Sequence, residues 1–131
     1  MASRDLASNL AIRESIRPAV HSASTVTGEV VDTRGFDSAM VAVAVGAVAS
    51  SGNVTLKLQH SDTTTGGDFT DVTAADLVGA FPAALVQNSV LEVGYIGPRR
   101  YLRVFGTLNS GTSVAYSAAV VLGHPNQAPA A

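Results

Sequence analysis

The sequence predicts an all-β protein, an antiparallel β-sandwich or jelly-roll-like barrel of about six to seven strands behind an N-terminal arm. From Thr25 onward, apolar residues recur with period two. β-Branched residues crowd the same stretches, and clusters of Gly, Asn, Asp and Ser interrupt them at short intervals. With 131 residues and no cysteine, the chain has the length of one ordinary domain that buries a core without disulfides or thiolate metal sites. The expected division is an arm over residues 1–22, a sandwich domain over 23–124 and an extended tail over 125–131.

The arm differs in pattern from the rest of the chain. Ser3 can cap a short helix through Ile16 that Pro18 stops, but Leu6, Leu10, Ile12 and Ile16 do not share one helical face, so the segment is expected to be helical at most in part. Thr25 to Thr33 reads as the first strand. In "SAMVAVAVGAV", Val41, Val43 and Val45 take one face and Ala42 and Ala44 the other, which predicts a strand covered on both sides. "ASSGN" signals a hairpin turn. In "GNVTLKLQHS", Val54, Leu56 and Leu58 alternate with Thr55, Lys57 and Gln59, the pattern of a half-buried strand.

After the loop over 62–68, "FTDV" can form a short strand. "AADLVGAFPAAL" is either one helical turn or an irregular connection, with Pro82 preventing a continuous ladder. Three further strands follow at "SVLEVGYIG", "RYLRVFGTL" and "SVAYSAAVVLG", of which the first two are expected to pair as a hairpin across "GPR".

Composition narrows the function. Eight basic residues stand against ten acidic ones, with no like-charge run longer than Arg99-Arg100, so no footprint for nucleic acid or an anionic membrane is expected. Charged residues make up only 14% of the chain, which leaves a neutral, small-featured surface suited to packing against other protein. The first ten residues hold no apolar run of signal-peptide type, and no apolar span reaches transmembrane length, so a soluble chain is expected.

His60, Ser61 and Asp62 invite an enzymatic reading. Neighbours on a strand point to opposite faces, whereas catalysis needs converging side chains, so adjacency speaks against a triad. A triad using His21 or His124 lacks a nucleophile-elbow motif around any serine. Asp62, Asp68 and Asp71 offer oxygen ligands but not the EF-hand pattern, and a solvated turn is the favoured reading. Arg99, Arg100 and Arg103 lack the Gly-rich turn into a helix that builds a phosphate site. Tyr101, Arg103 and Phe105 fall on one strand face and Arg100, Leu102 and Val104 on the other. If buried, Arg103 needs a carboxylate partner, and on a rim it can reach another subunit. Without tryptophan, a carbohydrate platform is poorly supplied. The expectation is a non-enzyme with no catalytic residue, metal or cofactor.

The segments "LASNLAIRESIRPAV", "GFDSAMVAVAVGAV", "LKLQHSDTTTGGDFTDV", "ADLVGAFPA", "GYIGPRRYLRV" and "VVLGHPNQAP", in this order and spacing, resemble small structural proteins encoded in the head-gene clusters of tailed bacteriophages and prophages. The resemblance implies a virion component, made in the host cytoplasm, with no catalytic residues to carry over. Size, neutral surface, arm and sandwich then point to a capsid decoration or cement protein on the outer shell. Its partner would be the major capsid protein, and lattice symmetry by analogy suggests a homotrimer. Leu6, Leu10, Ile12, Arg13, Ile16, Arg17, Arg100 and Arg103 are the candidate capsid or subunit contacts, with the arm ordering as it binds. The alternatives are a host-surface or glycan-binding module on the virion, resting on the loop over 62–68, and a tail-tube or head-completion protein.

Overall fold

The computed structural model describes residues 6–125. These residues form two antiparallel five-strand groups packed face to face, as the all-β expectation required, but with ten strands instead of six or seven. The strands are β1 (Ala11–His21), β2 (Thr25–Thr27), β3 (Val31–Asp32), β4 (Phe36–Ala49), β5 (Asn53–Ser61), β6 (Thr70–Asp71), β7 (Leu77–Val78), β8 (Val90–Tyr95), β9 (Tyr101–Ser110) and β10 (Ser113–Pro125). The first sheet has the order β1-β10-β4-β8-β7, and the second β2-β9-β5-β6 with β3 also on β9.

The alternating residues turn inward where the pattern says they should. Val54, Leu56 and Leu58 of β5 and Leu102 and Val104 of β9 face Val41, Val43, Val114, Val120 and Leu122 of the first sheet, all nearly inaccessible. Each such side chain contributes roughly 1.5–3 kcal/mol by leaving water. Tyr116 is the polar exception: its hydroxyl is buried without a hydrogen-bond partner, and burial pushes the phenol up to about 12.

The two sheets share one folded ribbon. β4 pairs with β10, β5 pairs with β9, and the connections β4–β5 and β9–β10 cross together from one sheet to the other. "ASSGN" is therefore a corner between sheets and not a hairpin. Ser50 and Ser51 adopt φ of 50° and 59° there, and Gly111 in the facing corner has φ of +81°. The corners touch: a Cβ on Gly111 would collide with the Gly52 backbone. A ribbon bent over itself in this way is a jelly-roll-like arrangement.

Residues 11–21, expected to belong to an arm, instead form the edge strand β1, paired along β10 from Ala11↔Leu122 to His21↔Val114. A bulge between Glu14 and Ile16 turns both Ser15 and Ile16 inward, which breaks the period-two pattern in the sequence. The Ser15 hydroxyl accepts the Val104 backbone N–H at 2.9 Å and donates to the Glu29 carbonyl at 3.0 Å. Its backbone carbonyl takes the Glu29 N–H at 2.7 Å. One serine thus stitches the edge of the first sheet to the second. Pro18 withholds a donor at the free edge, Arg13 donates to the Ile12 carbonyl, and His21 Nε2 caps the Arg17 carbonyl. Such features discourage further strand addition. Residues 1–5, and the tail expected beyond Pro125, lie outside the described residues.

β8 and β9 do not form the expected hairpin. β8 pairs with β4 and β7 in the first sheet, and β9 with β5, β2 and β3 in the second. The segment "IGPRR" crosses between sheets because the Tyr95 hydroxyl accepts the Arg99 N–H at 3.0 Å, and Pro98 has no N–H to offer a ladder.

Candidate docking surface

The polar groups singled out in the sequence do not converge. His60 lies buried at the end of β5, its Nδ1 2.8 Å from the Tyr95 hydroxyl. Desolvation, aided by the Arg99 charge, lowers its pKa below the ordinary histidine value. Neutral His60 and the Tyr95 hydroxyl thus share one buried hydrogen bond. The Ser61 hydroxyl accepts the Thr63 N–H, and Asp62 pairs with Arg99. Asp68 accepts the Thr63 hydroxyl, and Asp71 holds Lys57 and the Gln59 amide, so no two of the three loop carboxylates share a partner. Among the described residues no group of three His, Asp or Glu side chains is placed to share a metal ion. The arrangement builds a hydrogen-bonded loop.

The arginines are similarly engaged. Arg100 precedes β9 and makes a bidentate pair with Asp32, with both contacts at 2.7 Å, and this holds the Asp32 carboxyl below its usual pKa. Arg103 projects outward from β9, donates to Gln59 Oε1 at 2.7 Å and lies over the Phe69 ring at 4.3 Å. An amide and an aromatic ring thus take the place of the expected carboxylate. Arg17 reaches Glu29 at 3.4 Å and Glu14 at 4.0 Å, and Arg13 is exposed at the β1 edge. Of the apolar candidates, Leu6 and Ile12 are about two-thirds exposed (67% and 64%), Leu10 is half-buried, and Ile16 is 2% exposed in the core. Ile16 is thereby removed from any contact surface.

A feature that the sequence pattern did not reveal is the asymmetry between the two outer faces. The second sheet carries a cross-linked polar face: Lys57 and Gln59 on Asp71, Arg103 on Gln59, and Asn109 on Thr55 and Asn53. The first sheet carries mostly small or apolar side chains in register, with a glutamate at each end of one row. One row across it is Ile12, Val121, Met40 and Gly94; the next is Glu14, Ala119, Ala42 and Glu92; the next holds Ser117 and Ala44. The strand expected to be covered on both sides is covered on one. Ala44 is exposed, and Val20, Val78 and Val90 stand out at 69%, 59% and 74% exposure. Two shallow apolar depressions, of about 440 and 430 Å³, open at opposite ends of the β10–β4 stripe, one beside Val20 and Gly46 and the other beside Leu10 and Met40. The alternation of Ala with Val in β4 placed these alanines opposite the core, but what lies above them is not written in the strand itself.

The fold and this face define a two-sheet, jelly-roll-like body with one polar and one apolar outer side. Its architecture is shared with VP2 of the infectious bursal disease virus subviral particle, at TM-score 0.55 and 9% identity over 89% of this chain and 33% of that one. A chain of the infectious bursal disease virus Gx strain structure gives 0.50 and 9% over 88% and 32%. The chain thus spans about a third of the length of those two viral chains. The SPBc2 prophage-derived protein YomS gives 0.49 and 16% over 86% of this chain and 93% of its own. No protein-family model and no curated protein matches the sequence.

Proposed function

We propose that this chain is a structural component of a tailed-phage or prophage virion, acting as a decoration or cement protein on the outer shell and not as an enzyme. The observation that carries the proposal is a two-sheet sandwich in which one outer side is a network of polar side chains bonded to one another, while the other presents mostly small, uncharged side chains. Surfaces of that kind gain free energy by covering. The resemblance of the ordered segments to head-cluster proteins supports the assignment, and the architecture shared with a VP2 chain agrees with it at the level of fold alone.

In this role the sandwich sits where major capsid subunits meet. Repetition over a symmetric lattice converts modest contacts into firm attachment, because each copy bridging neighbouring subunits makes the second engagement effectively intramolecular. Association of this chain with itself, as a trimer at lattice threefolds, belongs to the same proposal.

Particles lacking this chain should keep their shells but lose resistance to heat and osmotic shock, and quantitative mass spectrometry of intact particles should find hundreds of copies. Unchanged resistance, or a dozen copies or fewer, would replace the cement role with a connector or tail role.

A further inference from the structure

The outer face of the first sheet carries enough chemistry to describe what covers it. Four neighbouring strands make it about 19 Å wide, and the 13 residues of β10 extend about 43 Å, an area on the order of the ~800 Å² that each partner of a stable interface contributes. The centre is low: Ala42, Ala44, Ala115, Ala119, Ser117 and Gly46 leave nothing that protrudes. A partner can approach closely only with a raised apolar ridge.

The charges decide between a second copy and a different partner. Glu14 and Glu92 occupy the two ends of one row, three strand intervals or about 14 Å apart, with Ala119 and Ala42 between them. Glu92 makes no ion pair among the described residues, and Glu14 is held only at 4.0 Å by Arg17, which Glu29 shares. When two copies pack with their strands aligned, a two-fold axis centred on the alanine pair runs along the row or across it and lays the row on itself. Carboxylate then meets carboxylate, a juxtaposition that costs free energy as water leaves.

We infer that this face docks on a different chain, one that presents an apolar ridge to the alanine stripe and a lysine or arginine to Glu92, with a second basic group near Glu14. The inference rests on the shell role proposed for the chain and names the surface and the partner chemistry. It leaves the polar face of the second sheet toward solvent.

The test adds the purified full chain to shells of the parental particle assembled without it and measures binding by co-sedimentation. Ala42→Arg places a long cation in the stripe and should weaken binding at least tenfold. Glu92→Lys should weaken it several-fold, and Glu92→Gln should flatten the salt dependence of the wild-type affinity. Thr25→Arg, on the outer side of the second sheet, should bind as wild type. Melting curves establish that each variant is folded, and for a variant that is not, Ala44→Arg takes its place. Wild-type binding that Ala42→Arg, Ala44→Arg and Glu92→Lys leave unchanged overturns the assignment of this face alone. Tighter self-association accompanied by loss of shell binding in Thr25→Arg alone overturns it in favour of the other sheet. A wild-type chain that ignores the shells overturns the shell role and this inference together.

Discussion

Ser15 shows how much one polar side chain can hold. Its hydroxyl is the acceptor for the Val104 N–H inside the second sheet and the donor to the Glu29 carbonyl, in a position that is 2% exposed. Ser15→Ala leaves a buried amide unpaired and should lower the unfolding free energy by about 1–3 kcal/mol, read from urea denaturation. Gly28 sits against the same hydroxyl so closely that a Cβ there would collide with Ser15 Oγ and meet the Val104 carbonyl oxygen at 2.6 Å. His60 adds a pH dependence. Burial lowers its folded-state pKa, so the unfolded chain binds the proton more readily. Stability from this group is complete above about pH 6.5 and declines as pH falls through the lower folded value, by at most about 1.4 kcal/mol per pH unit. Arg99 opposes protonation from the facing loop, while Asp76 and Asp62 favour it. In thermal melts between pH 7.5 and 5, His60→Gln should flatten this decline, since an amide can still hydrogen-bond the Tyr95 hydroxyl but does not titrate. An unchanged slope would place the acid sensitivity elsewhere.

At the scale of elements, the bend in the ribbon depends on backbone conformations that few residues adopt. Gly111 combines φ of +81° with direct contact against Gly52, so Gly111→Ala should cost more than about 2 kcal/mol and lower the melting temperature, whereas a substitution at Gly67, which has open space around it, should not. Strands whose burial follows strict alternation were legible in the sequence. Val54, Leu56 and Leu58 point inward, and Thr55 and Lys57 outward, as the letters indicate. β1 was not legible, because its bulge places Ser15 and Ile16 on the same side and Ala11, one of its few buried positions, gives a weak apolar signal. Pairing was less legible than strand existence. Adjacent strands joined by a short Gly-Pro segment favour a hairpin on local grounds, yet tertiary bonds to Tyr95 redirect the chain into the opposite sheet. Of the expected contact residues, Leu6, Ile12 and Arg13 are exposed, Ile16 lies in the core, and Arg100 and Arg103 are engaged by Asp32 and Gln59.

For the whole molecule, the bent ribbon joins distant parts of the chain: Phe36 lies opposite Pro125, and Asn53 opposite Ser110. β10 occupies the space between β1 and β4 in the first sheet, so neither of those strands has its main partner until β10 arrives. A chain emerging from the ribosome therefore carries Val41, Val43 and Val45 in the open while nearly all the remaining residues are synthesised. Collapse of the first two-thirds cannot produce a native sheet. Loop closure over such separations is slow, on the order of milliseconds to seconds for β-rich domains. The same alanine-rich strand that is one-sided in the finished sandwich is apolar on both sides during that interval, so the yield of folded protein in the cell depends on how quickly the last strand is delivered and how well the nascent chain is shielded until then.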